Sequence, residues 1–247
     1  MTQSSSSSDP AVEFISPAHV RTCRERIHQV RERTGARVGT APSGFDASYW
    51  QAWFETNAEE VLEAFPSVQL VPGYRVRYCC FGQHGRDLRV RPFVARADTP
   101  VDAVRRLLPW HPPPDSMGAI ERGAPNEDVE LLYRHFSFPR TAQGYFEYWF
   151  VIQELWASAR WAYSHVLASL DEFSQLVSSP DWQLVHPVER YQPALVRHGE
   201  AAMLAVLVHC PLNRFEVTLQ RIEIDAEQAL HYSEAILVAS GPRGYVL

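Results

Sequence analysis

The sequence predicts an α+β fold in which an antiparallel sheet packs against helices. Three observations predict it. Helical periodicity dominates positions 16–65 and 145–177, period-2 strand patterning dominates the last 65 residues, and the two kinds of element are grouped and not alternated as βαβ units. Apolar residues make up 46% of the 247-residue chain, enough for a substantial core. Residues 1–15, with five consecutive serines, read as a disordered tail without the basic start and apolar stretch of a secretory leader. One α+β domain is expected over 16–240, with a possible sub-boundary in the Pro-rich loop 109–128, and 241–247 read as a mobile tail.

The first helix starts at Ser16-Pro17, a capping serine followed by a proline whose missing N–H costs nothing in the first turn. Val20, Cys23, Ile27 and Val30 form its apolar stripe, so Cys23 reads as core, and Gly35 offers a stop. Asp46 caps a second helix running to about Phe65, with Tyr49, Trp50, Trp53, Phe54, Val61, Leu62 and Phe65 on its apolar face. The opposite face carries Glu55, Glu59 and Glu63 at i, i+4 spacing, with Glu60 beside them. Like charges so placed repel and call for a positive partner. Helix one supplies it, because residues 21–37 hold six arginines against Glu25 and Glu32. An antiparallel helix pair joined by its own charges is therefore expected.

The stretch "RVRYCCFGQHGRDLRVR" (75–91) reads as a hairpin. A three-residue turn at Gln83-His84-Gly85 puts glycine at a left-handed position and sets Tyr78 opposite Val90, Val76 opposite Pro92 and Cys79 opposite Arg89. Val76, Tyr78 and Cys80 then share the buried side. Arg75, Arg77, Arg89 and Arg91 share the other side with Cys79, where arginines favour a thiolate. Residues 75–96 hold six arginines and one aspartate, a net charge of +5 that needs a negative cover. That cover is either the protein's own Glu55, Glu59, Glu60, Glu63, Asp171 or Glu172, or an external acidic or phosphate-bearing partner.

Thr99-Pro100 starts a short helix to about Leu108, and the loop after it carries Trp110 and His111 at its entrance. Val129–Phe138 alternates as a strand. The aromatic-rich segment 145–177 phases as a long helix interrupted near Ser169, where Ser169 and Glu172 form a capping box. Its "YFEYWFVIQ" start also has strand propensity. Glu147 and Glu154 fall on the polar side, as solvated or ion-paired carboxylates, together with His165. Strands follow at 183–188, 194–197, 201–209, 215–224 and 235–239, with a tight turn at His198-Gly199 and a helical turn or short helix at 225–232.

All 23 basic residues are arginine, which fits a GC-rich bacterial genome, and the net charge is −6. That acidity argues against nucleic-acid or anionic-membrane binding. The four cysteines lack Cys-x-x-Cys spacing, so no metal site is expected and a reducing cytoplasm is the simplest setting. No Walker loop, dinucleotide fingerprint, nucleophile elbow or His-Glu-x-x-His occurs, so no cofactor is expected. The function expected is a non-catalytic protein-interaction module, of immunity or accessory-defence type, binding a protein partner through Arg75, Arg77, Arg89, Arg91, Glu55, Glu59, Glu63 and Trp110. The alternative is a cysteine-dependent transferase or hydrolase using Cys79 and His84 on an anionic substrate.

Overall fold

The computed structural model describes residues 11–40, 47–81, 89–99, 132–157, 165–210 and 215–241. The expected short helix from Pro100, the loop 109–128 with Trp110 and the turn bearing His84 lie outside them. Within the described residues the chain has four helices and an antiparallel sheet, an α+β architecture. No helix among these residues is long and apolar enough to cross a membrane.

Strand β1 (Val12–Phe14) lies within the segment expected as a tail and pairs antiparallel with β8 (Ala194–His198). Helix α1 (Pro17–Val38) begins as expected, with the Ser16 hydroxyl accepting from the His19 N–H at 3.2 Å. It passes through Gly35 and ends at Gly39, whose positive φ supplies the left-handed stop one turn later. Burial of Thr34 beside Asn57 of α2 (Ala47–Ala64) carries the helix past Gly35, outweighing the ~1 kcal/mol a mid-helix glycine costs. The two helices run antiparallel: Gly39 meets Tyr49, Thr34 meets Asn57, and Arg26 lies over Phe65 just beyond α2.

Strands β3 (Tyr74–Phe81) and β4 (Arg89–Arg96) form the expected ribbon with a different register. Tyr78 pairs with Pro92, Cys79 with Arg91 and Cys80 with Val90, a slip of two residues from a three-residue turn. The ladder closes at Phe81 and Arg89, so the connection spans 82–88. A slip of two preserves the side on which each residue falls, which is why Val76, Tyr78 and Pro92 are buried as expected. On the opposite side, however, Phe93 and Ala95 are buried too. Within the expected strand at 129–138, Leu132–His135 instead form a 3-10 turn, which turns both Leu132 and His135 inward. Among the described residues of that segment, β5 (Phe136–Ser137) is the strand, pairing with β2 (Gln69–Leu70).

Helix α3 (Ala142–Ala157) settles the choice for 145–153 as helix. Tyr145, Phe146, Tyr148, Trp149, Val151, Ile152, Leu155 and Trp156 are all buried, so the helix is enclosed nearly all round and serves as the spine of the larger core. The helix does not continue through 165. His165–Val166 form β6, which lies beside β9 (Ala201–Cys210) on the edge that β8 shares. Val166 is buried there by sheet pairing instead of helix phasing. Helix α4 (Leu170–Leu176) then starts at the expected Ser169 cap, with the Ser169 hydroxyl facing the Glu172 N–H.

The seven-stranded sheet has the order β1-β8-β9-β10-β11-β7, with β7 at Gln183–Leu184, β10 at Glu216–Ile224 and β11 at Leu230–Ser240. A two-residue link through Gly199 (φ 64°) joins β8 to β9 as expected. Residues 225–229 make a tight turn and not a helical one. Asp225 accepts the Ala229 N–H through its carboxylate, and Gln228 takes φ 72°. One sheet face buries Ala202, Leu204, Val206 and Ile222 against the helices. The other buries Leu207, Val217 and Val238 under Leu167, Phe173 and Trp182.

Gly144, in the first turn of α3, lies so close to the Pro139 carbonyl that a methyl group there would collide with backbone. Gly144→Ala is expected to cost about 1–3 kcal/mol, read as a lowered urea midpoint with an unchanged m-value.

Candidate functional site

The charged residues of this fold are organised from α1. Its arginines project on several sides and meet carboxylates on the three other helices. Arg31 forks onto Glu154 of α3, Nε to Oε1 at 2.9 Å and Nη2 to Oε2 at 2.6 Å. Arg33 and Arg37 both donate to Glu60 of α2, at 2.6 and 2.8 Å. Arg21 and Arg24 converge on Glu172 of α4, which also accepts the Ala168 N–H at 3.0 Å. Arg24 additionally donates to the Val166 carbonyl, tying α1 to β6.

Two of these acceptors are buried charges, Glu60 and Glu154 each being only 4% exposed. Burial holds the Glu154 carboxyl above its usual range, and the Arg31 fork only partly restores it. Hydrogen bonds from Arg33 and Arg37 hold Glu60 below that range. Burial pushes Glu172 up as well, but the Ala168 N–H and the two arginines outweigh it and leave the group lowered. The expected charge-joined helix pair is thus present, made by Glu60 and not by the i, i+4 ladder. Glu59 and Glu63 are exposed on the outer face. Glu147 and Glu154, expected on a polar face, are both buried.

Glu55 turns to the ribbon. Arg77, 12% exposed at its side chain, donates to Glu55 Oε2 at 3.0 Å. Among the described residues, the ribbon's positive charge is thus met internally at Arg77. Arg75 is exposed. The ladder sets Cys79 opposite Arg91 instead of Arg89, and the side chains of Cys79, Arg89 and Arg91 lie outside the described residues, as do His84 and Trp110.

A thiol–imidazole–carboxylate group does form, with members the sequence reading did not connect. His19 Nε2 lies 3.7 Å from Cys23 Sγ and 3.3 Å from Glu147 Oε1. The same ring nitrogen faces both partners. A nucleophilic triad instead places thiol and carboxylate on opposite nitrogens, so that one proton is taken while the other orients the ring. Cys23 is fully buried, and burial, followed by the Glu147 charge, pushes its thiol up to about 12. This is the reverse of an activated nucleophile. The signal in the sequence was the i, i+4 spacing of His19 and Cys23, which puts both on one helix face.

A histidine pair sits at the sheet edge. His165 and His209 pair across β6–β9 with ring centres 6.3 Å apart, and Trp182 lies 5.9 Å from His209. Burial lowers both histidines, with Arg24 and Arg31 adding to the effect at His165 and His165 itself adding to it at His209.

Comparison of the chain with family models, curated proteins and solved structures gave no match.

Two outcomes follow from these groups. Arg31→Ala strands the Glu154 charge in the core and is expected to cost on the order of 2–4 kcal/mol, discounted because the arginine is part-exposed, by urea unfolding at neutral pH. The histidines are held neutral in the fold but take up protons when unfolded. Their contribution is full above about pH 6.5 and is lost as pH falls below it. Unfolding free energy is expected to drop between pH 7.5 and 5.5, by the scale of that linkage, and His209→Phe to flatten the drop, read by urea titrations across that range.

Proposed function

We propose that this protein is a non-catalytic protein-binding module whose β3–β4 ribbon receives an acidic segment of a partner protein. One observation carries the reading: the sequence concentrates arginine in this ribbon. Residues 75–96 hold six arginines against Asp87, a net of +5, and among the described residues Glu55 on α2 pairs with one of them, Arg77. Strand alternation puts positions 75, 77, 89 and 91 on one side of the ladder. Like charges along one side of a two-stranded ribbon repel, and a carboxylate-bearing strand or loop relieves that repulsion while arginine's fork gives it register. The rest of the chain is acidic overall, which disfavours non-specific binding to polyanions and sharpens selectivity for a segment that fits. Such a module would neutralise or dock a partner in a cytoplasm, in the manner of an immunity or accessory-defence protein.

Arg77 has a separate role, since its pairing with Glu55 fixes the ribbon to α2. Fluorescence anisotropy with a labelled Asp/Glu-rich peptide tests the proposal. The full-length protein is expected to bind it more tightly at low salt than at high salt. Arg75→Gln with Arg91→Gln is expected to weaken binding about tenfold and make the salt dependence shallower. Unchanged peptide affinity in that double variant, with a loss of folding stability, would show the arginines to be internal supports and would end the proposal.

A further inference from the structure

We propose that His19, Cys23 and Glu147 form a zinc-binding site that joins α1 to α3. The argument rests on the positions of three donor atoms. His19 and Cys23 stand one turn apart on the same face of α1, and Glu147 comes from the second turn of α3. Imidazole nitrogen, thiol sulfur and carboxylate oxygen all lie within 4.8 Å of one another. Bond lengths to tetrahedral zinc of about 2.3 Å for sulfur and about 2.1 Å for nitrogen and oxygen set ligand separations of roughly 3.6 Å for N···S and roughly 3.4 Å for N···O. The separations here are 3.7 Å and 3.3 Å. The convergence of thiol and carboxylate on one ring nitrogen, which disqualifies a triad, is what three ligands of a common ion produce.

The donor set and its surroundings agree with that ion. One soft sulfur, one imidazole and one carboxylate suit zinc better than magnesium or calcium, which take oxygen shells. The Ser67 hydroxyl donates to the other carboxylate oxygen, Oε2 of Glu147, and so orients the ligand in the way outer-shell partners of metal sites do. The His19 side chain, 17% exposed, is the part of the site nearest solvent, while the buried Glu147 and Cys23 close it on the core side. A water molecule entering past His19 would complete the four-coordinate set. Arg26 stands 3.7 Å from Glu147 Oε1, where it balances the carboxylate. Its part-exposed side chain can move outward as the cation enters. Binding exchanges the Cys23 thiol proton, released to water, for a sulfur–zinc bond, so the buried thiol that is inert by itself becomes a ligand. The bond clasps α1 against α3 near the start of both helices. It acts on the scaffold and is independent of the ribbon's partner.

The test uses the full-length protein, stripped with a chelator and dialysed. Added Zn2+ is expected to bind at one equivalent per chain and to raise the thermal midpoint. Co2+ in its place is expected to give a thiolate-to-cobalt charge-transfer band in the near ultraviolet and the strong visible bands of tetrahedral coordination. Cys23→Ala is expected to abolish the ultraviolet band, and His19→Gln or Glu147→Gln to weaken Zn2+ binding more than about 100-fold, beyond what an outer-shell change causes. Ser67→Ala, which leaves all three ligands, is expected to weaken it by about 10–100-fold. A variant with Cys79, Cys80 and Cys210 all changed to serine keeps the band if Cys23 is its source. If wild-type protein with Co2+ gives no thiolate band, or if the band survives Cys23→Ala and disappears in the triple-serine variant, the site is overturned. The wild-type spectrum decides the matter even where a variant fails to fold.

Discussion

The fold depends on the placing of carboxylates inside a helical core and their neutralisation by a single arginine-rich helix. Glu154 sits in the middle of α3, the most enclosed helix of the described structure. A lone carboxylate there would cost several kcal/mol or give up its charge. Arg31 reaches it from α1 as a two-pronged fork, and the same helix sends Arg33 and Arg37 to α2 and Arg21 and Arg24 to α4. Because each pairing has its own direction and register, α1 has one position against its three neighbours. Apolar burial drives the assembly, while the ion pairs select which helix faces meet.

That arrangement also divides the charged residues by role. Arg77 and Glu55 close on each other at the inner part of the ribbon, and Glu60 is enclosed by two arginines from α1. Glu59, Glu63 and Arg75 are left on the surface. A charged cluster in the sequence thus resolves into structural pairs and surface charges within a turn of helix or a pair of strand residues. The lack of lysine fits this use of charge, since guanidinium groups hold carboxylates bidentately where an ammonium group would act as a point charge.

The histidines show how place governs chemistry. His19 stands at the start of α1 beside a thiol and a carboxylate, while His165 and His209 stack at the sheet edge among aromatic rings. In the second setting desolvation keeps the imidazoles neutral and makes them sensitive to acid. In the first, three different donors converge within ligand distance. Residue type is the same, and the neighbours supplied by α3 or β9 separate the two cases.

Much of the fold was legible in the sequence because its signals are local. Ser16-Pro17 fixes the start of α1, Ser169 with Glu172 fixes the start of α4, His198-Gly199 fixes a hairpin, and period-2 patterning marks β8 to β10. The alternation placed Val76 and Tyr78 on a buried side, since that depends on parity alone, but it did not show that Phe93 and Ala95 on the other side are buried as well. Register could not be read, because turn length decides it and a slip of two leaves parity intact. Helix phasing likewise misassigned His165 and Val166, whose extended form comes from pairing with β9, some forty residues away. The candidate site was the least legible. The i, i+4 spacing of His19 and Cys23 is local, but Glu147 meets them only when α3 packs on α1, and the burial of Glu60 and Glu154 is decided by the same packing. Sequence determined the elements and their faces through local backbone and periodicity rules; tertiary structure alone decided which distant donors met and which charges lost their water.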